Sequence, residues 1–164
     1  MFILKEYKPN FRGKSPVSGK YFKISNIDNS KLMIELKDVH TIFGLEKNFS
    51  DKIFKWCVTE SQKEHITNIE KKILEIFINI DKSSYADTTV LNKSLLFKTG
   101  FPTMLMSVFK DAPEDVIIHD KGSIVSLLSI EKSKKYNVQL TIQNVFFNND
   151  KNTISFKYII KKIF

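Results

Sequence analysis

The feature that most constrains this chain is a change of hydrophobic period. In "KYFKISNI", Phe22 and Ile24 fall on one face while Tyr21, Lys23 and Ser25 fall on the other. In "KLMIELK", Leu32, Ile34 and Leu36 alternate with Met33, Glu35 and Lys37, and "KIFKWCVT" sets Phe54, Trp56 and Val58 against Ile53, Lys55, Cys57 and Thr59. Alternation of this kind places successive side chains on opposite faces of a strand. The period then becomes helical. Ile66, Ile69, Ile73, Ile76, Phe77 and Ile80 form one apolar stripe, and Ser61 with Glu64 gives an S-x-x-E capping box. The pattern predicts strands with one core face, covered by a single helix over about residues 61–80.

The rest of the chain fits that frame. Gly44 marks a bend after the second strand. Residues 81–122 read as the irregular part, with a short strand leading to a turn at Gly100 and Pro102, an acidic "DAPED" loop and an "HDKGS" turn. "SIVSLLSI" is a strand candidate. In "YNVQLTIQNVFFNND", Val138, Leu140 and Ile142 point inward and the register shifts near Asn144, as at a β-bulge. An "NNDKN" turn joins it to "TISFKYIIKK", whose core side is Ile154, Phe156, Tyr158 and Ile160.

The expected fold class is therefore mostly β: a small antiparallel OB-like barrel with one long covering helix. The OB architecture is chosen because it carries a helix between its third and fourth strands. The domain reading is an irregular basic arm over 1–18, with two prolines and two glycines in "KPNFRGKSPVSGK", followed by one OB-like domain over 19–164.

Composition narrows the function. The net charge is +8, and Arg12 is the only arginine among 26 basic residues. Lysine is a mobile point charge, whereas the arginine fork reads planar acceptors bidentately. A lysine surface suits phosphate attraction without sequence reading, although an AT-rich codon bias would also favour lysine. The net excess of positive charge itself points to a polyanionic partner. Cys57 is the only cysteine, which excludes an internal disulfide and fits a reducing, intracellular compartment. "MFILKEYKPN" is too short and too quickly charged for a signal peptide, and no apolar run is long enough for a membrane helix.

Enzymatic constellations are weak. His40, His65, His119 and Cys57 lack metal-ligand spacing. Glu35-x-Lys37 with Asp28 has the residue types of a metal-dependent nuclease, but a solvated strand face explains the same pattern. No phosphate-binding glycine loop or serine elbow is present. The expectation is a protein that is not an enzyme and uses no cofactor or metal.

The binding constellation is better. Outward positions collect Tyr21, Lys23, Lys37, Lys55, Lys157 and Lys161 from four strands. The loops add Phe97, Lys98 and Phe101, and Phe146 follows the expected bulge. Lysines tracking phosphates and aromatics stacking bases are the ingredients of single-strand recognition.

"SGKYFKISN", "KLMIELKDVHTIFGLEKN", "DKIFKWCVT", the helix, and the closing "VQLTIQNVFFNNDKNTISFKYIIKKI" together resemble the OB-fold single-stranded-DNA-binding proteins of large DNA viruses and T7-like phages. The resemblance covers most of residues 18–163, and its most recognisable pieces are the corner Thr41 to Leu45 and the closing hairpin. It implies a viral protein of the host cytoplasm or nucleus that coats exposed single strands in replication, recombination or repair. Phage members end in an acidic tail, whereas "KYIIKKIF" is basic. The implied partner is single-stranded DNA, with RNA and self-association left open and no membrane. The alternative is a non-enzymatic viral structural or protein-interaction subunit whose basic face meets an acidic protein.

Overall fold

The computed structural model describes residues 2–9, 18–48, 51–91, 93–109, 117–120, 123–124 and 126–164. The elements in chain order are β1 (Phe2–Tyr7), β2 (Gly19–Asn26), β3 (Met33–Thr41), β4 (Glu46–Asn48), β5 (Asp51–Cys57), α1 (Glu60–Ile80), α2 (Lys82–Tyr85), β6 (Thr89–Val90), β7 (Leu95–Leu96), β8 (Met104–Phe109), β9 (Ile117–Asp120), β10 (Ser123–Ile124), β11 (Tyr136–Asn148) and β12 (Thr153–Ile163). The protein is mostly β, with a single sheet and one main helix. By contacts the chain divides into two compact units where one domain was expected. β11 and β12 each give residues to both units.

The first unit is Met1–Leu32, Glu64–Lys93 and Ile142–Phe156. Here β2 is the middle strand, antiparallel to β1 on one side and to the distal part of β11 on the other. Phe22, Ile24, Val145 and Phe147 are buried, and so are Ile66, Ile69, Ile73 and Phe77 of α1. Phe77 is the hub. Its ring meets Phe22 edge-on at 5.2 Å, Phe147 at 5.2 Å and Tyr85 at 4.4 Å. The stripe read from the sequence is thus the packed face, except that Ile80 at its end is 49% exposed. Phe2–Tyr7 corrects the expected irregular arm: cross-strand pairing from Phe2↔Asn26 to Tyr7↔Tyr21 holds it extended. Residues 10–17 of that arm lie outside the described residues.

The second unit is Met33–Lys63, Ser94–Thr141 and Lys157–Phe164. Its strand path runs β11–β3–β5–β8–β12–β9–β10, with β4 on β5 and β7 on β8. Ile34, Leu36, Phe54, Trp56, Leu105, Val138, Leu140 and Tyr158 are at most 1% exposed. Phe54 stacks on Trp56 at 5.1 Å, and the Trp56 indole N–H donates to Ser107 Oγ at 2.9 Å. A buried indole donor is thereby satisfied inside the core.

Four expectations are corrected here. The helix opens at Glu60, and its box is Thr59 with Gln62. Thr59 Oγ1 accepts from the Gln62 N–H at 3.2 Å, and Gln62 Oε1 accepts from the Thr59 N–H at 2.9 Å. Ser61 and Glu64 stand inside the helix, past the position where a cap can act. Secondly, Ile53 and Cys57 are buried, so β5 is covered on both faces; Ile53 packs with Val108 and Ile159 in a second cluster. Thirdly, residues 81–122 hold α2, β6, β7, β8 and β9 as well as loops. The "DAPED" segment is outside the described residues. Finally, "SIVSLLSI" gives only the two-residue β10, followed by a 3-10 turn over Leu127–Ser129 that Ser126 caps through its hydroxyl.

The cap makes a local prediction. Thr59→Ala should destabilise the protein by about 1 kcal/mol in urea unfolding, while Ser61→Ala should be close to neutral. The reverse order would restore the later box.

Candidate nucleic-acid interface

The face of β2 opposite Phe22 and Ile24 carries Gly19, Tyr21, Lys23 and Ser25. Cross-strand register decides what stands beside them. Tyr21 pairs with Tyr7 of β1 and with Phe146 of β11, and Lys23 pairs with Lys5. Directly opposed residues share a face, so three aromatic rings line up across three strands with two lysines in the adjoining row. The ring centroids of Tyr7 and Tyr21 are 6.1 Å apart, and those of Tyr21 and Phe146 are 4.8 Å apart. Lys23 Nζ lies 5.0 Å from the Tyr7 ring centroid. All three rings are partly exposed, and Lys5 and Lys23 are exposed.

The platform is held in place. Asn144 Nδ2 donates to the Tyr7 hydroxyl at 3.1 Å. Gly19 gives the Phe146 ring its seat, because a Cβ there would collide with that ring and with the Phe147 carbonyl oxygen. Burial, and then the neighbouring Tyr7, push the Tyr21 phenol above its ordinary pKa. The Tyr21 ring at the centre of the row is thereby held in its neutral form.

The structure sorts the residues expected at the site into separate groups. Tyr21, Lys23 and Phe146 belong to the platform of the first unit. Tyr7, Lys5 and Gly19 complete it, and the sequence reading missed them. Their signal is the alternation of Ile3, Lys5 and Tyr7 against Phe2 and Leu4, which is weak in a strand of six residues.

Lys37, Lys55, Phe97, Lys98, Phe101, Lys157 and Lys161 belong to the second unit. Lys37 and Lys98 are exposed, and Lys161 is partly buried. Lys55 sits 3.3 Å from the Glu46 carboxylate and 5.4 Å from the Phe43 ring centroid. Lys157 lies 3.6 Å from Asp51. These two lysines are thus not the open cations the strand pattern suggested, because carboxylates on β4 and β5 partly neutralise them. Phe97 is 62% exposed and Phe101 38% exposed. Lys98 Nζ lies 5.2 Å from the Phe101 ring centroid, and Phe43 contacts Phe101 at 5.6 Å.

Cys57 is buried, which raises its thiol pKa and keeps it a poor nucleophile. Among the described residues, no group of three or more His, Cys, Asp or Glu side chains is placed to hold a metal ion. No helix among them is long and apolar enough to cross a membrane. Comparison with protein-family models, curated proteins and solved structures finds no match in any of the three.

Proposed function

We propose that this protein binds single-stranded nucleic acid without reading its sequence, with DNA as the first expected ligand, and that it does so without catalysis. The observation that carries the reading is the row Tyr7, Tyr21 and Phe146, flanked by Lys5 and Lys23 on the face of the sheet opposite its core. Every base offers a π-face, so stacking on such rings tolerates any sequence. Lysines beside them attract phosphates as point charges and read no base edge. A duplex hides its base faces and has nothing to offer the row.

The strand path supports an OB-like barrel in the second unit. There β11 pairs with β3, β3 with β5, β5 with β8 and β8 with β12. Asn137 and Phe164 exchange backbone hydrogen bonds at 2.7 and 2.8 Å, joining the start of β11 to the end of β12. In chain order these ring strands run first, second, third, fifth, fourth, a Greek-key order in keeping with the OB-fold. Two details differ from the sequence reading. The platform is carried by β1, β2 and β11, and α1 follows the second of the ring strands instead of the third.

The test is a titration with oligothymidylate, a matched duplex and RNA over a range of salt. Two platform lysines predict a log–log salt slope of about −1.4 or steeper on single strands, from roughly 0.7 per neutralised phosphate. Lys5→Ala and Lys23→Ala should each flatten it by about 0.7. Affinity should rise with oligonucleotide length until the site is filled. Salt-insensitive binding, or equal affinity for duplex, would exclude the platform mechanism. Length-independent binding of an acidic protein would favour an interaction subunit.

A further inference from the structure

We infer that the second unit carries its own stacking subsite, on the loop from Phe97 to Phe101, and that it takes two further nucleotides of a single strand. The inference rests on the proposed single-strand function and extends it to a site built from different residues. The loop turns back on itself through a hydrogen bond from the Phe101 N–H to the Lys98 carbonyl, with Gly100 at a φ of 85°. Only glycine adopts that conformation freely. A Cβ at Gly100 would meet nothing within 4 Å, so the turn faces open space.

Each ring of this loop has its own ammonium group. Lys63 Nζ, from the first turn of α1, lies 4.8 Å from the Phe97 ring centroid, and Lys98 Nζ lies 5.2 Å from that of Phe101. Phe43 backs Phe101 at 5.6 Å and orients it. A nucleotide joins a flat base to an anionic phosphate, so one ring with one ammonium beside it complements one nucleotide. Glu60 reaches Lys63 at 3.7 Å but is 86% exposed, where ion pairing is weak. Glu46 engages Lys55 next to Phe43. Phe97 is 62% exposed just after β7, where an incoming base can reach its ring.

The test uses the full chain with Phe97→Trp. The native Trp56 is fully buried, so any new ligand-dependent fluorescence belongs to position 97. A long oligothymidylate should quench that indole, and inorganic phosphate should not. Phe97→Ala should weaken the long oligothymidylate by about five- to a hundredfold, and Phe97→Tyr should retain affinity. Phe101→Ala should act in the same direction. Oligonucleotide binding that requires Tyr21 but ignores Phe97→Ala, with no quenching in Phe97→Trp, overturns the second subsite and leaves the platform standing. No oligonucleotide binding by the unaltered protein overturns the reading on which both rest. Quenching by polyglutamate as strong as by oligothymidylate overturns the subsite in favour of an acidic protein partner.

Discussion

Phe77→Ala should cost roughly 3–5 kcal/mol of unfolding free energy, the usual loss when a buried phenylalanine is cut back and leaves a cavity. Phe77 is fully buried, and its ring touches those of Phe22, Phe147 and Tyr85. Each aromatic pair contributes beyond the area it buries. No single neighbour can collapse into the space without giving up its own contact. Tyr85 and Phe147 are themselves paired at 5.1 Å, which fixes the cavity walls. Urea unfolding followed by circular dichroism measures the loss. Ile80→Ala is the control: it lies on the same helical stripe but is 49% exposed, and it should change stability by less than about 1 kcal/mol. Equal costs at the two positions would mean that α1 does not present this face to the β2 and β11 strands.

What could be read from the sequence follows the range of the forces involved. The faces of β2 and β3 were legible because only one face of each is core, and Phe22 and Ile34 report it by alternation; in β5 alternation found Phe54 and Trp56 but not the burial of Ile53 and Cys57 on the other face. The α1 stripe was legible for the same reason. By contrast β8, "MLMSVF", is buried on both sides between β5 and β12, so no period-two pattern survives to announce it. "TESQKE" contains two overlapping four-residue boxes, Thr59 to Gln62 and Ser61 to Glu64. The end of β5 at Cys57 selects the earlier one, and local spacing could not. At the candidate site, Tyr21 and Lys23 were visible because both lie on one strand. Tyr7 and Phe146 join them only through cross-strand register, which couples residues far apart in the chain. The pairing of Lys157 with Asp51 was invisible for that same reason.

Tyr21→Ala should weaken oligothymidylate binding by about ten- to a hundredfold, and nearly equally for any base, since one stacked base is worth roughly 1–3 kcal/mol. Tyr21 is the middle ring of the row, so its removal also strips the contacts that hold Tyr7 and Phe146 in line. Its side chain is partly exposed, so the melting temperature should move little. Gly19→Ala provides an independent route to the same site. The added methyl group must displace the Phe146 ring, so affinity should fall as it does for Phe146→Ala. In a Phe146→Ala background, Gly19→Ala should then cost less affinity than it does in the native chain, leaving only the clash with the Phe147 carbonyl oxygen. A stability defect would instead add to the first loss, and the double-mutant cycle separates the two. Trp56 is an internal reference: buried and hydrogen-bonded to Ser107, it should show no quenching as the oligonucleotide binds. If Tyr21→Ala and Phe146→Ala both leave affinity unchanged, the row is only a sheet surface. The excess positive charge then has to be explained by an acidic protein partner.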